Sequence, residues 1–357
     1  MGLTAETSFN VNEKEWNDNI CHQPFSTAYQ MAGFYNPHKL AFESKQFYIS
    51  VKNNSNNLVA QLTGVIHFKD FWSVGSELSN YSSSKSNSMI VWNHGPIIHD
   101  YTEIDDILKL ILCELDKIAI TNKINVIKGT SAPLSKQFSN SQFQKFEYNC
   151  TPWITNVTQL SKNSEEFFLE LHNKTRYDIR KGEKSGLEFE IVNSSKGLDE
   201  YSELKLEDNK NKDKIIKQNE SFRNHRWNTS IKNNYEKVYF VRLNGNIVAG
   251  MANFVFNNNV VQRTIANSSN RNFYAGSFLT WNAIKWSIDN KLQTYDMGGS
   301  NPNPSSEKEN GIKHFKAKWC GQKYDYVIFT KVFNKRKRQL SRVIKQPSLL
   351  SKKIFKH

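Results

Sequence analysis

The sequence predicts an α/β protein of the α+β type, built as two tandem modules that are each a mixed β-sheet flanked by helices. Two observations carry this. The chain has 357 residues, more than one ordinary core accommodates and about right for two domains of roughly 150–180 residues. One order of elements, hairpin, strand, helix, strand, also occurs twice along it, as an order rather than as matching letters. With 38% hydrophobic and 13% aromatic residues there is enough apolar material for packed cores, and a charged fraction of 23% is ordinary.

In the first half, Phe47–Val51 and Leu58–Leu62 flank the polar run NNSNN and read as a hairpin. The segment 89–98 is a further β segment. A helix follows, because Ile104, Ile107, Leu108, Ile111, Leu115 and Ile118 recur at steps of three and four after an acidic first turn. The run 124–129 returns as a strand. In the second half Val238–Leu243 passes through Asn244-Gly245-Asn246 into Ile247–Met251, and Asn-Gly is a strong turn signal. Segment 260–266 is the next strand. A buried helix is expected from Ser277, with Trp281, Ile284 and Ile288 on one face, and 292–299 is the strand after it.

Between the repeats, Asn163 or Ser164 caps a helix with Glu165 and Glu166 in its first turn, running unbroken towards Gly182 and Gly186. Along it Arg176, Arg180 and Lys184 stand at i, i+4 and i+8, which is either a solvated face or an anion site. Leu187, Phe189 and Ile191 alternate with glutamates as a half-exposed strand, and 205–235 reads as helix and loop. The divisions expected are 1–155, 156–330 and a basic tail, 331–357.

That tail holds ten Lys or Arg and no acid, out of a net charge of +14. It reads as a solvated end, as an amphipathic segment on an anionic membrane, or as a phosphate-neutralising arm for a nucleic acid such as tRNA. No apolar run reaches bilayer length, and the first residues lack a signal-peptide layout, so a cytoplasmic protein is expected, with the inner membrane face as its alternative place. Cys21, Cys113, Cys150 and Cys320 form no CxxC pair, which argues against a metal site or a disulfide framework and predicts reduced packing residues.

The richest stretch is 292–321, where a strand ends in Asp296 and the pair Gly298-Gly299 opens a proline-containing loop. Glycines there let backbone approach a ligand or adopt positive φ. The loop returns at Gly311 to a segment offering His314, Lys316 and Lys318. Either a tight turn with solvated lysines or a catalytic cluster fits the spacing.

Four runs together resemble the FemAB-like members of the GNAT acyltransferase superfamily, which include the Fem aminoacyltransferases of peptidoglycan cross-bridge synthesis. They are W-I-T-N-V beginning at Trp153, N-K-T-R-Y-D-I-R-K-G-E-K-S-G at 173–186, Y-D-M-G-G at 295–299 and G-I-K-H-F-K-A-K-W-C-G at 311–321. The resemblance covers most of the chain and implies two tandem GNAT-like modules. It places Lys316 at the reaction centre and Arg176 near phosphate groups of the acceptor. Acyl transfer to an amine develops an oxyanion that a fixed cation could stabilise, with Asp296 or His314 as base. Arg180, Gly298, Gly299 and Trp153 join Arg176 as expected substrate contacts.

The superfamily's acyl-CoA loop, Arg/Gln-x-x-Gly-x-Gly/Ala at a helix N-terminus, corresponds to Arg271-Asn-Phe-Tyr274-Ala-Gly276 followed by Ser277. Tyr274 puts bulk where a glycine is usual, which leaves acyl-CoA and aminoacyl-tRNA both open as donor. The function expected is N-acyl or aminoacyl transfer to an amine on a cell-envelope or sugar/peptide precursor, with no tightly bound cofactor. The alternative from a different class is a catalytically silent basic module that binds RNA or an anionic membrane surface.

Overall fold

The structure is a computed structural model describing residues 2–42, 44–68, 88–136, 139–210, 220–269 and 274–333. It opens with β1 (Thr4–Ser8), α1 (Glu13–Cys21) and α2 (Asn36–Ala41). The first hairpin follows as β2 (Ser44–Lys52) and β3 (Leu58–His67). Next come β4 (Met89–Trp92), β5 (Ile97–Ile98), α3 (Ile104–Thr121) and β6 (Val126–Thr130). Helix α4 (Ser141–Lys145) leads into β7 (Asn149–Gln159). Beyond it lie α5 (Ser164–Glu170), α6 (Asn173–Lys184), β8 (Leu187–Ile191), α7 (Ser195–Lys210) and α8 (Glu220–Arg226), then a π turn over Trp227–Ile231. The second hairpin is β9 (Glu236–Leu243) and β10 (Asn246–Phe256), closed by Asn244 and Gly245 at φ +51° and +79°. The chain continues through β11 (Asn259–Asn267), α9 (Ala275–Asp289), β12 (Thr294–Asp296), α10 (Glu307–Ala317) and β13 (Gln322–Val332).

The thirteen strands of the described residues join one mixed sheet in the order β1-β2-β3-β4-β6-β13-β7-β12-β11-β10-β9-β8, with β5 paired to β3. The repeat shows in its two parallel pairs, β4 with β6 across α3 and β11 with β12 across α9. Helix α3 buries Ile107, Leu108, Ile111 and Leu115 on the first half of the sheet, and α9 buries Leu279, Ala283 and Ile284 on the second. The halves trade strands. β13, last in sequence, pairs with β6 of the first repeat, while β7 pairs with β12 of the second. β13 and β7 then pair with each other over nine residues, from Gln322↔Val157 to Thr330↔Asn149.

Four expectations change. The helix expected from Asn163 onwards is two helices, because Leu171 is extended (ψ 143°) and buried in the second core, and His172 Nδ1 caps a fresh start by accepting from the Lys174 amide. Helix α9 begins at Ala275, two residues before Ser277. Lys331 is strand rather than tail: it is buried in β13 and its ammonium lies 2.6 Å from Asp116. The rest of the basic run, 334–357, lies outside the described residues. The four cysteines are free, but Cys21 and Cys320 are exposed, so a packing role does not hold for those two.

Candidate active site

The site is built on a β-bulge. Asp296 faces Val157 across the β12–β7 ladder, and Ser300 and Ile154 bridge further along, Ser300 N to Ile154 O at 2.7 Å. Four steps on one chain thus match three on the other, and the extra residue is absorbed at Gly298-Gly299. Both glycines are required. Gly298 has φ +73°. At Gly299 a Cβ would stand 2.0 Å from Tyr326 Oη and 2.4 Å from Trp153 Nε1, two side chains paired across β13 and β7.

The bulge holds the two candidate catalytic groups. Lys316, half-buried on α10, donates from Nζ to the Gly299 carbonyl at 2.7 Å, and its nitrogen stands 3.4 Å from where a Cβ on Gly298 would be. The buried Asp296 carboxylate accepts from the Gly298 amide at 2.7 Å and from Thr155 Oγ1, both on Oδ1. One kink of backbone therefore orients an ammonium through its carbonyl and a carboxylate through its amide. Tyr295 points to the other face, where it is fully buried and its hydroxyl meets Asn253 and Gln262. Burial raises the Tyr295 phenol far above its usual value, so it stays protonated.

Helix α10 was not expected from the sequence, which read 300–311 as a loop. Its start is nevertheless written there: Ser306 Oγ accepts from the Glu309 amide, the spacing of a capping box. The helix sets Lys316 inward and leaves His314 exposed. The first half of the chain walls this face of the sheet, with His94 edge-on to Tyr326 at 6.3 Å and Tyr29 against both His94 and Phe254.

A second cluster lies where α9 begins. Tyr274 is the residue before its first turn and makes no side-chain cap, a Cβ on Gly276 would touch the Phe315 ring at 3.9 Å, and Ser277 is buried. Lys318, just past α10, donates to Ser277 Oγ at 2.8 Å and lies 3.7 Å from Asp178. Burial lowers the Lys318 pKa, and Asp178 opposes that shift. A cation at a helix N-terminus meets the positive end of the helix dipole. A phosphate would relieve it, so this corner suits an anionic donor group despite Tyr274. Arg271 lies outside the described residues.

Arg176 and Arg180 lie on the helix that brings Asp178 to Lys318, but their own contacts are with α5 and the α5–α6 break. Arg176 donates to the Leu169 carbonyl and the Asn173 side chain, closing the α5–α6 break, and Arg180 is exposed over the Phe168 ring at 5.3 Å. Sequence reasoning missed Thr155 and Tyr326, whose proximity to Asp296 and Gly299 arises only when β7 and β13 meet the end of β12.

Residues 170–316 match the profile of the Acetyltransferase (GNAT) domain, and the large mixed sheet flanked by helices is a fold shared with solved tandem GNAT structures. A crystal structure of FemX superposes with a TM-score of 0.67 at 13% identity, covering 94% of this chain and 99% of that one. A tandem GNAT protein from the clavulanic acid biosynthesis pathway gives 0.57 at 10% identity over 93% and 98% of the two chains. The C-terminal domain of a putative lysylphosphatidylglycerol synthetase from Agrobacterium fabrum gives 0.51 at 12% identity over 94% and 96%. No curated protein sequence matches the chain significantly. Among the described residues no helix is long and apolar enough to cross a membrane.

Proposed function

We propose that the protein is an N-acyl or aminoacyl transferase whose acceptor is an amine on a cell-envelope or sugar/peptide precursor. The observation that carries this is the bulge, which fixes the Lys316 ammonium and the Asp296 carboxylate on either side of two glycines. The acceptor nitrogen attacks the donor's carbonyl carbon, and the new oxyanion is met by Lys316 Nζ. Asp296 takes the proton from the nitrogen. Collapse forms the amide and expels a thiolate from an acyl-CoA or a ribose hydroxyl from an aminoacyl-tRNA. Lys318 and Ser277 serve the donor's phosphate. The exposed Arg180 of α6 and the basic composition of 334–357 suit a phosphorylated acceptor near the inner membrane face, and the protein works in the cytoplasm.

The test is a transfer assay on the purified full chain with acetyl-CoA and with charged tRNA as donors, offering amino-sugar and lysyl-peptide acceptors. Lys316→Ala should lose about 10²–10³ in kcat while its unfolding transition is kept, the usual cost of removing one oxyanion donor. A fully active Lys316→Ala protein overturns the mechanism. If Lys316 and Asp296 both change freely while removal of 334–357 abolishes RNA or vesicle binding, the silent binding module is the right reading.

A further inference from the structure

Arg263 is the extra residue of a second β-bulge. On β10, Asn253 faces Gln262 and its neighbour Ala252 faces Thr264, so Arg263 is skipped in the ladder. Gln262 turns its side chain to Tyr295, whereas Arg263 and Thr264 both go to the opposite face, the one that carries Asp296. There the Arg263 guanidinium lies over the Phe254 ring at 5.2 Å, and Thr264 Oγ1 is 2.6 Å from the Tyr201 hydroxyl of α7. The two bulges adjoin. Strand β12 pairs with β11 as far as Val261, and the Gln262 carbonyl stands 2.7 Å from where a Cβ on Gly298 would be.

Cations collect beside this bulge. Arg226 of α8 grips Glu236 through hydrogen bonds of 2.8 and 2.5 Å, and both side chains are buried. Arg263 reaches the same carboxylate with one nitrogen, at 3.2 Å, on the oxygen that Arg226 Nη2 already holds. Its other N–H groups are unspent. Lys205 of α7 is a third cation, half-buried over the Tyr201 ring at 5.9 Å, and among the described residues its ammonium makes no hydrogen bond or ion pair. Asp208, one turn further along α7, is buried and is the other carboxylate within reach of Lys205. Burial first, then Arg263 and Arg226, pull the Lys205 pKa down to about 7 against the opposing pull of Glu236 and Asp208. A cation held partly out of water with no acceptor is costly, and a bound anion removes that cost.

We infer that Arg263 and Lys205, steadied by the Arg226–Glu236 pair, seat an oxyanion, phosphate or carboxylate, carried by the acceptor. The donor corner belongs to α9, which packs on the other face of the sheet with Tyr295, and this leaves the anion beside Asp296 to the acceptor. That the anion belongs to the acceptor rests on the transfer reading; that it binds does not.

Isothermal titration of the full chain at pH 7 with glucosamine 6-phosphate and with muramic acid, each against glucosamine, tests the seat and tells the two oxyanions apart. At least one of the anionic sugars should bind about tenfold more tightly than glucosamine, through charge-assisted hydrogen bonds. Lys205→Met should lose that advantage while unfolding at the same temperature or higher, because it removes a cation from among cations. A lysine that merely braced the fold would lower the midpoint when replaced. Lys316→Ala should keep the binding, so failure of the transfer chemistry and failure of the seat read separately. With an anionic acceptor in the transfer assay, Lys205→Met should raise KM and leave kcat. The proposal is overturned if neither anionic sugar outbinds glucosamine, if Lys205→Met keeps their affinity, or if Lys316→Ala abolishes it.

Discussion

Gly299 illustrates how one missing Cβ can position a site. With Tyr326 Oη and Trp153 Nε1 both inside van der Waals distance of that absent atom, Gly299→Ala must push apart a cross-strand aromatic pair, at a cost of about 1–3 kcal/mol for overpacking. It would also move the carbonyl that holds Lys316. The expected result is a lowered unfolding midpoint and a larger loss in kcat than in KM. Adding Tyr326→Phe should recover part of the stability. Lys318 makes a separate prediction. Its pKa is lowered by burial, so its charge is lost at a lower pH than an ordinary lysine's as pH rises. Donor binding that depends on it should weaken on the alkaline side, and Lys318→Arg, which stays charged, should extend the range. A titration of donor KM against pH reads this. Asp296 and the glycine pair could be singled out from sequence as a strand end opening into a loop, and Lys316 through the resemblance of the 311–321 run. Thr155 could not, since nothing local ties it to a residue 141 positions away.

At the scale of elements, the break between α5 and α6 was invisible because helical periodicity continues across it. Leu171 is pulled into the core, and the chain must restart behind it. The Asn163 cap on the Glu166 amide stands in the expected place. Asn163→Ala should cost about 1 kcal/mol, measurable by denaturant unfolding. The hairpins, α3 and α9 were legible since each has a strong period or turn signal. Helix α10 was obscured by Gly311 and the preceding prolines, although Ser306 and Glu309 announced it. The exchange of β7 and β13 left no trace in sequence, because strand partners at long range are chosen by packing and not by propensity.

For the molecule as a whole, buried histidines set the response to acid. Burial pushes His94 down to about 3, and burial with the nearby Arg263 and Arg226 does the same to His38. His67 is likewise held well below its usual value, by burial first. As pH falls below about 6.5, the unfolded chain takes up these protons while the folded protein does not, so stability is present above that pH and declines towards pH 3. Each such histidine contributes a slope of up to about 1.4 kcal/mol per pH unit. His38→Phe should flatten the pH dependence of unfolding by one such increment between pH 6 and 4. The Glu236 carboxyl acts in the same direction. Burial raises it, but Arg226 and Arg263 outweigh burial and hold it below its usual range, so its stabilisation also fades in acid.

The traded strands have a consequence for how the protein comes into being. Thr130 is paired with Ile328, so on the ribosome the first half of the nascent chain must wait with the edge of β6 bare until nearly the whole polypeptide has emerged. At bacterial-to-eukaryotic rates of about 5–20 residues per second that delay is on the order of 10–40 s. During it an unpaired edge is open to adhesion and to chaperones. A polypeptide ending before residue 322 would lack the strand that completes its own beginning, and the halves cannot be harvested as independent pieces by cutting the gene in two.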